Sequence, residues 1–163
     1  MTQPETHAFD PDGQFPNSTL PLLVYRAALP ADAAAMEQRF AANGWGGGWR
    51  DGIFAFHHFH SDAHEVLGIA RGTARVAFGG PGGATVAVAA GDVVVIPAGV
   101  AHCNQGDSGD LLVVGAYPAG GAFDTKRGDP AEYAAALRAS AAVPLPAADP
   151  VDGAEGALLK LWT

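Results

Sequence analysis

Cysteine and basic residues are scarce in this chain of 163 residues. Cys103 is the only cysteine, so an internal disulfide is impossible and nothing favours an oxidising compartment. Nine Lys and Arg residues stand against 17 Asp and Glu residues, which gives a formal net charge of −8. Because phosphate backbones are bound through clustered cations, we expect no nucleic-acid partner.

Long apolar runs are also missing. No stretch reaches the roughly 18 consecutive apolar residues of a membrane span. Residues 1–17 are polar and acidic, without the basic start and apolar core of a secretory signal. We therefore expect no membrane partner and a cytoplasmic location, and the length fits a single domain, residues 1–163.

Histidines concentrate in residues 52–72, GIFAFHHFHSDAHEVLGIARG. Residues 53–60 alternate with the period of a β-strand, which would point His58 and His60 to one face, about 7 Å apart along the strand. A short polar run then precedes Glu65, which would start a second strand. His102 supplies a third imidazole after the apolar run that follows Gly91. We expect these side chains to converge on one point.

Three imidazoles and one carboxylate form a nitrogen and oxygen donor set. Such a set suits Fe, Mn, Ni, Co, Cu or Zn better than Ca or Mg. We therefore predict one divalent transition metal ion held by His58, His60, Glu65 and His102. His64 is the alternative to Glu65 if the turn before the second strand is shifted by one residue.

The spacing of these residues resembles the two sequence motifs of the cupin superfamily. The first motif matches Gly52, His58, His60, Glu65 and Gly72, and the second matches Gly91, Pro97, Gly99 and His102. The second motif often ends with an Asn where this chain has Gly106, and the nearest Asn is Asn104. Nearly the whole chain also resembles a bacterial subgroup, the YjlB-like cupins.

The resemblance implies an all-β fold, the cupin jelly roll or double-stranded β-helix, with its core at about residues 50–118. Many short strands separated by Gly and Pro turns favour the same architecture. An N-terminal strand and helix are expected within residues 20–44, with Pro21 favouring an edge strand. A C-terminal helix and tail are expected within residues 129–163, both helices lying outside the barrel.

Several segments carry more specific predictions. Residues 1–20, with their frequent Pro and Gly, predict no regular element, and Gly46–Gly48 predicts a flexible turn. The run rich in Pro and Ala before Leu158 predicts an extended surface tail. Residues 158–162, LLKLW, are too apolar to face water and should dock on the barrel or on a second subunit.

The resemblance also implies a function class. The leading hypothesis is a small metalloenzyme that acts on a small organic molecule in the barrel mouth, as a dioxygenase, an isomerase or a decarboxylase. Glu65 is the one candidate for a catalytic base. The alternative is a non-catalytic cupin that binds or senses a metal or a small ligand. Because cupins often pair through their termini and outer sheet, we also expect a homodimer.

Other residues have a structural interpretation. His57 should face away from the site, and Cys103 should be a buried small apolar residue. Phe54 and Phe56 fit either a cavity wall or the barrel core. Tyr25, Tyr117 and the arginines 26, 71 and 75 offer contacts for an anionic substrate, without a reason to prefer any one of them.

Overall fold

The computed structural model describes residues 2–163, and nine strands within this range form two antiparallel sheets. The strands are β1 Glu5–Phe9, β2 Ser18–Tyr25, β3 Trp45–Asp51, β4 Glu65–Arg71, β5 Thr73–Phe78, β6 Ala84–Ala89, β7 Val93–Ile96, β8 His102–Asp107 and β9 Leu112–Pro118. One sheet has the order β1-β2-β7-β4-β9-β3 and the other has the order β6-β5-β8. The predicted all-β jelly roll is confirmed.

Three helices accompany the sheets: α1 Ala33–Ala42, α2 Tyr133–Ala141 and α3 Leu158–Leu161. A 3-10 turn at Pro130–Glu132 leads into α2. The predicted helices before and after the barrel are therefore present, and α3 is a single short addition. In residues 2–163 no helix is long and apolar enough to cross a membrane. The assignment of residues 1–163 to one domain stays a prediction.

The barrel interior lies between the two sheets and is filled by aliphatic side chains at alternating positions. On β4, Leu67 and Ile69 join the interior cluster, whereas Val66 and Ala70 join a second cluster on the outer face of the large sheet. Both faces of β4 are thus covered, which explains why the strand is apolar at nearly every position. Glu65, at the start of this strand, is the exception.

Helix α1 covers part of the outer face. Its N-cap residue Asp32 accepts a hydrogen bond from the Ala35 amide at 2.8 Å, as capping residues do. Met36 and Phe40 are fully buried and lie over Gly68 of β4. A Cβ at Gly68 would lie 2.8 Å from the Met36 sulfur, so the glycine allows the helix to approach the sheet.

The C-terminal residues also pack on the outer face. Leu158 and Trp162 are buried, and the Trp162 indole donates to the Pro21 carbonyl at 2.8 Å. The predicted docking of residues 158–162 on the barrel is confirmed. The prediction that the residues before Leu158 form an extended surface tail was wrong in part, because Asp149 and Val151 are buried.

Strands β1 and β3 run through segments that were predicted to contain no strand. β1 pairs with β2, so β2 lies inside the sheet and not at its edge, and Pro21 faces the bulge between His7 and Phe9. β3 runs through the predicted turn Gly46–Gly48 and pairs with β9. A Cβ at Gly48 would lie 2.4 Å from the Gly115 carbonyl oxygen, so this glycine serves close strand approach.

Candidate metal centre

The segment before β4 is not the continuous strand that its alternation predicts. Residues 53–57 are irregular, and His58 and Phe59 form only isolated bridges. His58 exchanges two backbone hydrogen bonds with His102, at 3.1 and 2.8 Å. Phe59 bridges to Lys126 in the same way. Pairing with His102 therefore brings together two imidazoles that are distant in sequence.

Three of the predicted ligands form one buried cluster. His58, His60 and His102 each offer a ring nitrogen, and these three atoms lie within 4.8 Å of one another. The side chains are 2–6% exposed. The His58 and His102 rings are closest, with centroids 4.0 Å apart.

The same ring atom of each histidine is held by a backbone carbonyl. Nδ1 of His58 lies 3.0 Å from the Phe56 oxygen, and Nδ1 of His102 lies 3.2 Å from the Val100 oxygen. Nδ1 of His60 contacts the Asp124 oxygen. A neutral ring that donates from Nδ1 carries a lone pair on Nε2. Outer hydrogen bonds of this kind orient histidines that bind metals.

Glu65 adjoins this cluster and is 1% exposed. Its Oε1 lies 3.3 Å from Nε2 of both His60 and His102, yet Oε1 accepts no hydrogen bond from any residue in 2–163. In neutral rings, donation from Nδ1 to the carbonyls leaves a lone pair on each of the two facing nitrogens. While the rings are neutral, three acceptors meet without a donor, which is unfavourable until a proton or a metal ion joins them.

The second carboxylate oxygen of Glu65 is well satisfied. The Tyr117 hydroxyl donates to Oε2 at 2.6 Å, and the Trp49 indole donates to the Tyr117 oxygen at 2.7 Å. This chain of hydrogen bonds runs from β3 through β9 to β4. It fixes the carboxylate so that Oε1 stays directed at the histidines.

Burial and mutual charge set the protonation of the cluster. Burial, assisted by His102, lowers the pKa of His58 to about 3. Burial also acts to lower the pKa of His60, but the Glu65 carboxylate outweighs it and raises that pKa above its ordinary value. Burial acts to raise the pKa of Glu65, and its contacts with His102 and His60 bring it below its ordinary value. Glu65 is therefore ionised and His58 neutral at pH 7, as metal ligation requires.

The position of Glu65 beside His60 and His102 fits a first-row transition metal. Ligands about 2.0–2.2 Å from one ion lie roughly 3.0–3.6 Å from each other, in octahedral or tetrahedral geometry. The 3.3 Å separations of Glu65 Oε1 from the two nitrogens agree with that range. Imidazole nitrogens with a carboxylate oxygen also suit these metals chemically.

A cavity of about 390 Å³ opens above the cluster. Its walls are largely aromatic or aliphatic, and include Trp49, Phe54, Leu67 and Phe123. Of the aromatic and cationic candidates named from sequence, Phe54 and Tyr117 line it, together with the four predicted metal ligands. Trp49 and Phe123 were missed because they come from the glycine-rich β3 and from an irregular segment after β9, neither of which shows a recognisable pattern.

Residues 51–121 match the family model described as Cupin. The uncharacterized protein YjlB of Bacillus subtilis strain 168 is 42% identical over 159 residues, which cover 97% of this chain and 96% of that protein. The chain is a cupin of the YjlB-like kind. The resemblance stated from the two motifs is confirmed.

Solved structures share part of this fold at low identity. A DUF861 family protein from Thermotoga maritima has a TM-score of 0.34 and 18% identity, covering 48% of this chain and 83% of that one. A mutant of Bacillus subtilis oxalate decarboxylase has a TM-score of 0.36 and 18% identity, covering 66% of this chain but only 22% of the decarboxylase.

The remaining candidates of the YjlB-like cupin lie away from the cluster. His64 is buried beside Trp162, at a ring distance of 4.9 Å, and its Nδ1 accepts from the Ala98 amide. Burial lowers its pKa to about 4. It faces the outer side of the sheet, so it does not take the place of Glu65 beside the three histidines. Cys103 is buried, as expected.

The other aromatic and cationic candidates have different partners. His57 packs on Phe15 at a ring distance of 5.9 Å. Tyr25 donates to Asp149 on the outer face, and Arg26 pairs with Glu5 and Asp92. A further contributor to the site was not foreseen: the Asp124 carbonyl that holds His60, 64 residues further along the chain.

Proposed function

We propose that this cupin is a metal-dependent enzyme that acts on a small organic molecule in the barrel mouth. His58, His60 and His102 hold one divalent transition metal ion through Nε2, and Glu65 Oε1 is the fourth ligand. The observation that carries the proposal is the position of Glu65 Oε1, which lies 3.3 Å from Nε2 of both His60 and His102 and accepts no hydrogen bond from the described residues. When bound, the metal would supply Lewis-acid or redox chemistry.

The residues of the chain have distinct roles in this proposal. The backbone carbonyls of residues 56, 100 and 124 orient the three imidazoles. Tyr117 holds the Glu65 carboxylate, which lines the cavity and is ionised. Four protein donors leave two positions of a six-coordinate ion for substrate. The donor set is compatible with dioxygenation, isomerisation and decarboxylation.

Elemental analysis of untagged protein tests the metal site. Wild type and a His57→Ala control are expected to retain close to one transition metal ion per chain. His102→Ala should reduce the metal affinity more than about 100-fold, because even outer hydrogen-bond partners of metal ligands contribute about 10–100-fold. Equal metal content in all three proteins would overturn the ligand assignment. Absence of metal even after reconstitution would favour a non-catalytic binding protein.

We propose in addition that the chain forms a homodimer. Leu145 and Leu161 are apolar side chains that remain 51% and 37% exposed after the C-terminal tail has folded on the sheet. Burial against a second copy would remove this surface from water. Light scattering coupled to size-exclusion chromatography is expected to give twice the chain mass, and a monomer mass would contradict the proposal.

A further inference from the structure

The cavity above the metal cluster is walled by stacked aromatic rings. Tyr117 and Phe123 stack with centroids 4.4 Å apart and an interplanar angle of 19°. Phe54 meets the His58 ring edge-on at 5.1 Å and is backed by Phe56, whose ring stacks on it at 4.8 Å. Phe123 also packs against His60 at 5.1 Å. Ring surfaces therefore extend from the ligand histidines to the rim.

The polar atoms of these rings are already committed. The Trp49 indole donates to Tyr117, the Tyr117 hydroxyl donates to Glu65, and the histidine Nδ1 atoms face carbonyls. A ligand in the cavity thus meets ring faces and edges and not free donors. The other polar side chains of the wall are Asp51 and Thr125, both exposed at the rim.

Charge in the wall disfavours dianionic ligands. Among the lining residues that the structure describes, none is Arg or Lys, whereas Asp51 and Glu65 are acidic. Arg127 lies close by, but its guanidinium is placed over the Phe56 ring, 3.8 Å from the centroid. A dicarboxylate would lose its hydration without gaining an ion pair from the wall, which is costly.

From these observations we propose that the ligand is a small aromatic molecule, uncharged in solution, with two adjacent oxygen donors on the ring. The inference rests on the proposed function, because the oxygen donors would take the two free positions of the metal. The ring would lie between the aromatic walls, where stacked pairs are favourable beyond simple burial. The cavity volume of about 390 Å³ lies within the roughly 300–1,000 Å³ of small-molecule sites.

Anaerobic titration of the Co²⁺-loaded protein tests the inference, with catechol as the aromatic chelator and oxalate as the aliphatic dianion. Changes in the visible Co²⁺ absorption report binding without turnover. Wild type should bind catechol at least about tenfold more tightly than oxalate. Phe123→Ala should weaken catechol binding about 3- to 10-fold and leave oxalate binding unchanged, because only the aromatic ligand uses the ring.

The matched control is Leu137→Ala, which removes an apolar side chain of similar exposure, 37% against 39% for Phe123, outside the cavity. It should leave both affinities unchanged. Oxalate binding as tight as catechol binding, or catechol binding that is insensitive to Phe123→Ala, would overturn the inference.

A metal-free arm separates this inference from the metal assignment. NMR titration of the metal-free protein with phenol and with acetate should shift resonances of cavity residues with phenol only, and less in Phe123→Ala. Phenol binding in a protein that fails to take up Co²⁺ would keep the aromatic preference and overturn the metal site. Co²⁺ uptake without any preference for aromatic ligands would keep the metal site and overturn the aromatic preference.

Discussion

Two fully buried carboxylates lie on opposite faces of the six-stranded sheet, and they differ in how they are satisfied. Asp149, on the outer side, accepts hydrogen bonds from the Tyr25 hydroxyl and from the amides of residues 151, 152 and 158. Glu65, on the inner side, accepts from the Tyr117 hydroxyl, while its Oε1 faces two imidazole nitrogens. Each carboxylate has a tyrosine, but only Asp149 has donors for both oxygens.

This difference indicates a structural role for Asp149 and a functional role for Glu65. The donors around Asp149 belong to the C-terminal tail, so the carboxylate ties residues 149–158 to β2 and completes its own hydrogen bonds. Glu65 keeps one oxygen that accepts no hydrogen bond from the described residues and that faces two imidazole nitrogens. Burial alone would not distinguish the two residues, since both are at most 1% exposed.

Replacing each carboxylate with its amide is the strongest test of the contrast. In Asp149→Asn, the new amide group would face backbone N–H groups that also donate. Because buried donors left without acceptors cost about 1–3 kcal/mol each, we expect the free energy of unfolding to fall by about 2–4 kcal/mol. Metal content of the folded protein should not change. Denaturant unfolding and elemental analysis measure both, and a loss of metal without a loss of stability would invert the assignment.

Glu65→Gln should have the opposite effect on stability. The amide can still accept from Tyr117, and its N–H groups can donate to the lone pairs of His60 and His102. At about pH 9, more than two units above the ordinary histidine pKa of about 6.5, the imidazoles should be neutral, and the metal-free variant should then be more stable than wild type by about 1 kcal/mol. Its metal affinity should fall about 100-fold, because a neutral amide replaces an anionic ligand. Destabilisation equal to that of Asp149→Asn would remove the distinction between the two sites.

The two tyrosines sharpen the comparison on a smaller scale. Tyr117→Phe frees Glu65 from the bond that orients it, and should lower the metal affinity about tenfold, the lower range for outer partners of a metal ligand. Tyr25→Phe should leave metal binding unchanged and cost about 1 kcal/mol of unfolding free energy through the lost bond to Asp149. Metal titrations and denaturant unfolding of both variants measure these effects. Weaker metal binding in Tyr25→Phe but not in Tyr117→Phe would contradict the assigned roles.

The sequence predicted the inner site, which is Glu65 with the three histidines, far better than the outer site, which is Asp149 with its donors. The motif spacing identified His58, His60, Glu65 and His102, and the structure brings the four together, although the strand expected at residues 53–60 is absent. The alternating sequence pattern still predicted correctly that His58 and His60 lie on the same side. The reason is that pairing of His58 with His102 makes the backbone extended at this point. The ligand role of the four residues stays a prediction until metal is measured.

The outer site could not be predicted because no sequence pattern near Asp149 indicates it. Asp149 lies in a run rich in Pro and Ala that resembles a surface tail, and its donors come from residues up to 124 positions away. β3 was missed for a related reason: its glycines suggest flexibility, whereas Gly48 is needed for the close approach of Gly115 on β9. In both cases the role of the residue depends on a partner that is distant in sequence, so the residue type alone does not reveal it.

The pH dependence of metal binding is the finest test of the inner site. Glu65 raises the pKa of His60 above its ordinary value of 6.5, so a proton occupies His60 at a higher pH than usual and competes with the metal. Metal affinity should therefore fall as the pH is lowered from about 8 to about 6, by at most about tenfold per pH unit for one displaced proton. In Glu65→Gln the fall should begin at a lower pH, because the charge that raises this pKa is gone. Isothermal titration at several pH values measures both curves, and an affinity independent of pH in wild type would exclude His60 as a ligand.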